Sequence, residues 1–174
     1  MAAICGPALL ATGLAGSAWA QPAAADKPPA PQTTTATYQD WVVRCEAPAD
    51  KPKVCEIAQG IQARADQGLI AQVVVGRPSK ADPVRLIVEL PPGVWLPAGA
   101  VLQAGEKASP LALTFKTCPR ACFADMELKP EQVQALKGAT GSGTLTFEDG
   151  ARQKVQLPVS FNGFSAALDA SLAP

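Results

Sequence analysis

The chain has 174 residues, with 15 lysines and arginines balanced by 15 aspartates and glutamates, and it contains no histidine. The basic residues are scattered along the sequence, whereas a nucleic-acid groove or a surface for anionic membranes needs clustered positive charge, so the sequence predicts neither partner. The lack of histidine excludes a Ser-His-Asp or Cys-His catalytic unit and a histidine-ligated zinc site.

The chain begins with an apolar leader. Residues 1–20 carry no charged side chain and end in Ala18-Trp19-Ala20. Signal peptidase accepts an Ala-x-Ala ending, so we expect a signal peptide that is removed before Gln21. A retained membrane anchor is the alternative, but the run is rich in Ala and Gly and barely reaches the length that spans a bilayer. The mature chain has no apolar run of that length, so we expect no integral membrane segment after cleavage.

A linker and one domain follow the leader. Residues 21–37 contain four prolines, several alanines and three consecutive threonines. This segment has too little apolar bulk to offset the entropy of ordering it, so we predict a flexible linker, with a proline-rich recognition peptide as the alternative. Residues 38–172 have the usual length of one domain.

Alternation of large apolar side chains with other residues dominates this domain. It is clearest in residues 85–90, 111–116 and 154–160, where each apolar set falls on one strand face. Asp149-Gly150 marks a tight hairpin turn, because glycine tolerates a positive φ. Many short strands between Gly and Pro turns predict an all-β, antiparallel sandwich or barrel. The further predicted strands are 41–45, 55–62, 69–76, 122–128 and 144–148.

Two segments break the alternation and predict short helices. Residues 130–137 begin with Pro130 and end with Lys137, an order that complements the helix dipole. Residues 161–172 carry one apolar stripe at helical spacing, which we expect to seal one end of the core rather than to serve as a free partner helix. The stripe consists of Phe161, Phe164, Leu168 and Leu172.

The cysteines indicate disulfides. Cys5 lies in the leader and leaves an even set of four in the mature chain, which is typical of an exported domain with two disulfides. Four cysteines allow three pairings, and we expect Cys45 with Cys55 and Cys118 with Cys122, because each pair is close in sequence and separated by turn-forming residues. A zinc site from all four is the alternative, which spacings of ten and four residues disfavour. We therefore predict no metal site.

The segment from Cys118 to Cys122 also admits a redox interpretation. A redox dithiol usually places an exposed cysteine at a helix N-terminus in Cys-x-x-Cys spacing. Here three residues intervene and a predicted strand follows, so we interpret the pair as a structural staple. Arg120, close to both sulfurs in sequence, keeps a thiol–disulfide function as the alternative.

The remaining sequence offers few candidate functional residues. Trp95 lies in a proline-rich stretch, and we expect it to fold over the end of the sandwich, with a role in partner contact as the alternative. The chain has neither a Gly-x-Gly-x-x-Gly phosphate-binding signature nor an Asp-x-Asp-x-Asp calcium loop. We therefore predict no cofactor.

Several segments together resemble one known family. They are residues 38–45, Cys55 ten residues after Cys45, the Leu-Pro-Pro-Gly turn at 90–93, the Cys118/Cys122 pair, Leu-Lys-Gly at 136–138, and Pro-Val-Ser-Phe-Asn-Gly-Phe-Ser-Ala-Ala-Leu at 158–168. In order and spacing they resemble the invasion-associated locus B family of exported, mainly alphaproteobacterial proteins. The similarity extends over nearly the whole mature domain.

The resemblance implies an immunoglobulin-like β-sandwich in a periplasmic or cell-envelope protein. Founding members of the family are linked to host-cell invasion, and the family has no established catalytic activity, so there are no catalytic residues to carry over. The leading hypothesis is a non-enzymatic protein that binds another macromolecule, an unknown envelope or host protein. The alternatives are a thiol–disulfide redox protein using Cys118 and Cys122, and a carrier of a small apolar ligand, which requires a cavity in the sandwich.

Overall fold

The computed structural model describes residues 32–49, 51–62 and 68–173, so the predicted signal peptide and most of the predicted linker lie outside it. The described part forms ten strands, two α-helices and a 3-10 turn at Leu96–Ala98. The strands are β1 (Thr33–Tyr38), β2 (Trp41–Glu46), β3 (Val54–Gln62), β4 (Leu69–Gly76), β5 (Arg85–Leu90), β6 (Ala100–Gln103), β7 (Leu111–Thr117), β8 (Cys122–Glu127), β9 (Ser142–Glu148) and β10 (Lys154–Ser160). The helices are α1 (Pro130–Lys137) and α2 (Phe164–Leu172).

The strands form two layers that share β7. Neighbouring strands follow the order β1-β2-β3-β4-β5-β8-β7-β6-β9-β10, and their pairings are antiparallel. The first residues of β7 pair with β6 and its last residues pair with β8, so the strand passes from one layer to the other. This arrangement confirms the all-β antiparallel sandwich with two short helices.

The core lies between the layers, and α2 covers one end of it. The rings of Trp41 in β2 and Phe164 in α2 meet edge to face, with centroids 5.0 Å apart. Helix α2 packs against β2 and β3, and its buried side chains include Ala167 and Leu168. The prediction that this helix seals the core is therefore confirmed.

A buried polar link closes the layers at the same end. The Gln59 side chain is 7% exposed and bonds to both peptide groups of Ser160, at the end of β10. The Trp41 indole Nε1 donates to the same Ser160 carbonyl at 2.8 Å, and the Ser160 hydroxyl donates to Asp40 Oδ2 at 2.6 Å. The link thus connects β2 and β3 in one layer to β10 in the other.

The first strand corrects the predicted linker boundary. The sequence predicts a linker through residue 37, whereas β1 starts at Thr33 and pairs with β2 from Thr33 opposite Glu46 to Tyr38 opposite Trp41. The side chains of residues 33–37 are exposed, so backbone hydrogen bonds rather than apolar burial hold them.

Two smaller differences concern β6 and α2. The sequence predicts no strand at β6, because its four residues are too few for alternation to be recognised. Helix α2 begins at Phe164 rather than at residue 161, because Gly163 takes a positive φ of 81° that ends the preceding turn. Phe161 still contributes to the predicted stripe, since its ring lies 5.5 Å from that of Phe164.

Candidate functional site

The structure joins Cys45 to Cys55 across β2 and β3. These residues are direct partners in the antiparallel register, with Cα atoms 4.0 Å apart. Their side chains are buried, at 7% and 4% exposure. The bond ties the two strands together next to the β2–β3 loop, so it is placed to hold that loop's base.

The structure also joins Cys118 to Cys122, at the β7–β8 hairpin. Cys118 is exposed after the end of β7, whereas Cys122 is fully buried and lies opposite Leu90 of β5. Neither cysteine is at a helix N-terminus, the position that lowers a thiol pKa in redox enzymes. A bond that closes the connection between two paired strands, away from the start of either described helix, suits a structural staple.

Trp95 lies partly over the β9–β10 turn. Its backbone N–H donates to the carbonyl of Glu148 at 2.8 Å, and the Arg152 guanidinium lies 5.2 Å from the centre of its ring. The side chain is 38% exposed. Trp95 therefore packs on the turn with one part of its ring open to solvent.

A cavity between α1 and the start of β7 is a candidate site for a small apolar ligand. It has a volume of about 210 Å³ and is lined by Leu111, Ala135 and Leu136, with Glu131 at its edge. Pockets for small ligands usually measure about 300–1,000 Å³. The volume of this cavity lies below that range, so it does not favour a carrier function at this place.

A basic groove opens at the end of the sheet where the β2–β3 and β4–β5 loops lie side by side. Its volume is about 710 Å³. Lys51 and Lys53 come from the first loop, and Arg77 and Lys80 come from the second. Three prolines, Pro48, Pro52 and Pro78, line it together with Cys55 of the first disulfide.

The cations of the basic groove are free of ion pairs within the described part of the chain. Salt bridges within 4.0 Å involve Arg44, Arg85, Lys116, Lys137 and Arg152, all outside the groove. Among the described residues that line the groove, Glu46 is the one carboxylate. The groove is therefore a surface of excess positive charge.

Arg85 differs from the cations of the groove, because it forms ion pairs within the sheet. Its Nη2 donates to Glu127 at 2.9 Å and its Nη1 to Asp125 at 3.0 Å. The hydrogen bond that Arg85 donates to Glu127, followed by the charge of Asp125, raises the pKa of Arg85. This guanidinium is thus paired with two carboxylates of the neighbouring strand, unlike the cations of the groove.

The basic groove corrects the expectation that positive charge is scattered. Lysines 51 and 53 are separated by more than twenty residues from Arg77 and Lys80 in sequence, and the β3–β4 hairpin brings them together. A usable signal was present, because alternate loops of an antiparallel meander share one end of the sheet. The absence of a nucleic-acid partner stays a prediction.

The described residues show no group of three or more Cys, Asp or Glu side chains placed to hold a metal ion. Neither of the two helices described is both long and apolar enough to cross a bilayer.

The fold and its groove define a disulfide-bonded antiparallel β-sandwich with a basic surface at one end. The model of the Invasion associated locus B (IalB) protein family matches residues 41–172. An invasion protein B homolog of Brucella abortus strain 2308 is 37% identical over 150 residues, covering 84% of this chain and 83% of the relative. A homolog from Brucella abortus biovar 1 strain 9-941 gives the same values. The chain belongs to the IalB family.

A solved structure shares the fold. The crystal structure of invasion associated protein B from Bartonella henselae has a TM-score of 0.69 to this chain at 23% sequence identity. The match covers 80% of this chain and 95% of the Bartonella chain. At this identity the likeness establishes the architecture.

Proposed function

We propose that this protein is exported to the periplasm or cell envelope and acts there, without catalysis, by binding another macromolecule of the envelope or of a host. The leader that ends in Ala18-Trp19-Ala20 supports export. Two disulfides support an oxidising compartment, where such bonds persist. The names of the Brucella relatives support a role linked to invasion.

The basic groove is the observation that carries the binding function. Its lysines are exposed and, among the described residues, unpaired, so a partner meets no competing intramolecular ion pair. Prolines between them offer rigid apolar surface that loses little conformational entropy on binding. Electrostatic complementarity of this kind favours fast and selective association.

Site-specific crosslinking in intact cells tests this function. A photoreactive residue at Ser79, exposed in the groove, is compared with one at Lys107, exposed elsewhere. We expect Ser79→benzoylphenylalanine to give a discrete crosslinked envelope or host protein that Lys107→benzoylphenylalanine does not give. The same products from both positions, or none from Ser79 in cells that export the protein, would contradict the proposal.

A further inference from the structure

We propose that the basic groove binds an extended segment of its partner that carries acidic residues three positions apart. This inference rests on the proposed function and names the chemistry of the occupant. Three features support it: the charge of the groove, the hydrogen bonds that its arginine already makes, and the separation of its two loops.

The charge of the groove selects an anionic occupant. Lys51, Lys53, Arg77 and Lys80 face one lining carboxylate, that of Glu46, while Asp50 lies outside the described residues. None of the four cations is in a salt bridge with a described residue. An anionic segment therefore gains these interactions without breaking an ion pair to any residue that the structure describes.

The state of Arg77 favours carboxylates over phosphates. Its Nη2 donates to the carbonyl of Leu172 at 2.9 Å, and its Nη1 donates to the carbonyl of Lys80 at 3.4 Å. The two terminal nitrogens that would clamp a phosphate thus already bond to backbone carbonyls, one at the C-terminal end of α2 and one in the β4–β5 loop. That end of a helix carries partial negative charge, which opposes a dense anion. The other three cations are lysines, which act as separate point charges suited to separate carboxylates.

The separation of the loops sets the spacing of the acids. The β2–β3 and β4–β5 loops are two strand positions apart in the sheet, which corresponds to about 10 Å. A polyproline-II segment advances about 3.1 Å per residue with three residues per turn, so residues i and i+3 lie about 9 Å apart on the same side. Acids at this spacing reach Lys51 or Lys53 with one side chain and Lys80 with the other.

Binding of synthetic peptides to the mature, oxidised protein tests the inference. The probes are proline- and alanine-based peptides with two glutamates separated by one, two or three residues, each matched by a glutamine version. Affinity is measured by isothermal calorimetry at low and at high salt. We expect the tightest binding when two residues intervene, loss of binding in the glutamine peptides, and weaker binding at high salt.

Charge-neutral variants locate the site. The test variant combines Lys51→Gln, Lys53→Gln and Lys80→Gln, and the control combines Lys107→Gln, Lys129→Gln and Lys154→Gln, which removes the same charge from exposed positions outside the groove. We expect the test variant to bind about fivefold to tenfold more weakly and the control to stay within about twofold. Thermal melts of both variants establish that each is folded.

Several outcomes would overturn the inference. If the test and control variants bind the peptides equally weakly, the effect is due to the overall charge of the protein. If affinity does not depend on the spacing of the glutamates, the peptide does not bridge the two loops. If phosphatidylglycerol vesicles or single-stranded DNA bind more tightly than the glutamate peptides, and the test variant loses this binding, the groove recognises phosphates rather than carboxylates. If no peptide binds while Ser79 still yields its crosslink, the proposed function stands and the acidic segment is wrong.

Discussion

The side-chain amide of Gln59 and the peptide groups of Ser160 exchange two hydrogen bonds. Gln59 Nε2 donates to the Ser160 carbonyl at 3.0 Å, and the Ser160 N–H donates to Gln59 Oε1 at 2.9 Å. This is the pattern of a hydrogen-bonded residue pair in an antiparallel sheet, with a side chain in place of the second strand. One buried amide therefore connects β3 with β10, positions that are 101 residues apart in sequence.

Substitutions at Gln59 test the strength of this connection. We expect Gln59→Ala to lower the free energy of unfolding by about 1–3 kcal/mol, because the Ser160 N–H loses its acceptor in a buried place. Gln59→Glu should lower it further at neutral pH, since a carboxylate would face the carbonyls of Ser160 and Asp40. Urea unfolding measures both. The control is Gln62→Ala, at an exposed position of β3, and an equal loss at Gln62 would argue against a special role for the link.

Truncation tests the assignment of β1. A chain that starts at Pro31 keeps the strand, whereas one that starts at Tyr38 loses five of its residues. We expect the shorter chain to unfold at lower urea concentration and to self-associate, because the edge of β2 becomes free to pair with another chain. Urea unfolding and size-exclusion chromatography provide the readouts. Identical behaviour of the two chains would show that β1 contributes nothing to the domain.

Removal of the Cys118–Cys122 disulfide distinguishes a structural role of this bond from a redox role. We expect the free energy of unfolding of the double variant Cys118→Ala, Cys122→Ala to fall by about 2 kcal/mol. Without the bond the unfolded chain gains the conformational entropy that closing so short a loop removes. Its crosslink at Ser79 should persist, because sulfur chemistry is not the proposed function. Thermal melts and the crosslinking assay are run side by side. Unchanged stability combined with loss of the Ser79 crosslink would favour the redox alternative.

Mass spectrometry checks processing and pairing in the exported protein. We expect an intact mass that begins at Gln21 and a non-reduced peptide map that links Cys45 to Cys55 and Cys118 to Cys122. Retention of residues 1–20 would restore the membrane-anchor alternative. A crossed map would overturn the local pairing.

Alternation along the sequence predicts strands that bury one face. It locates β5, β7 and β10, and the dipole-matched order of residues locates α1 at its observed bounds, Pro130–Lys137. It fails for β1, where the side chains of five consecutive residues are exposed and only the backbone ladder holds the strand. Such a strand is specified by its neighbour, which a one-dimensional pattern does not contain.

The basic groove is missed for a related reason. Each contributing loop carries only two cations, so neither is a cluster by itself. Their juxtaposition depends on the strand order β2-β3-β4-β5, a property of the folded sheet. The position of the Cys45 and Cys55 pair was predictable because both residues flank one short loop.

The hydrogen bonds between Gln59 and Ser160 also determine which backbone groups are free at the outer edge of β10. The N–H and the carbonyl of Ser160 point away from β9, because both bond to Gln59. Backbone groups alternate in direction along a strand, so the backbone of Pro158, two residues earlier in β10, faces the same outer side. Proline has no N–H, and the N–H of Ser160 is already taken, so the C-terminal half of this strand offers no free donor to an incoming strand. Of the remaining outward positions, Gln156 and Lys154, the second carries a charge that opposes close stacking of copies. The outer edge of β10 is thus a poor template for edge-to-edge pairing with another copy of the chain.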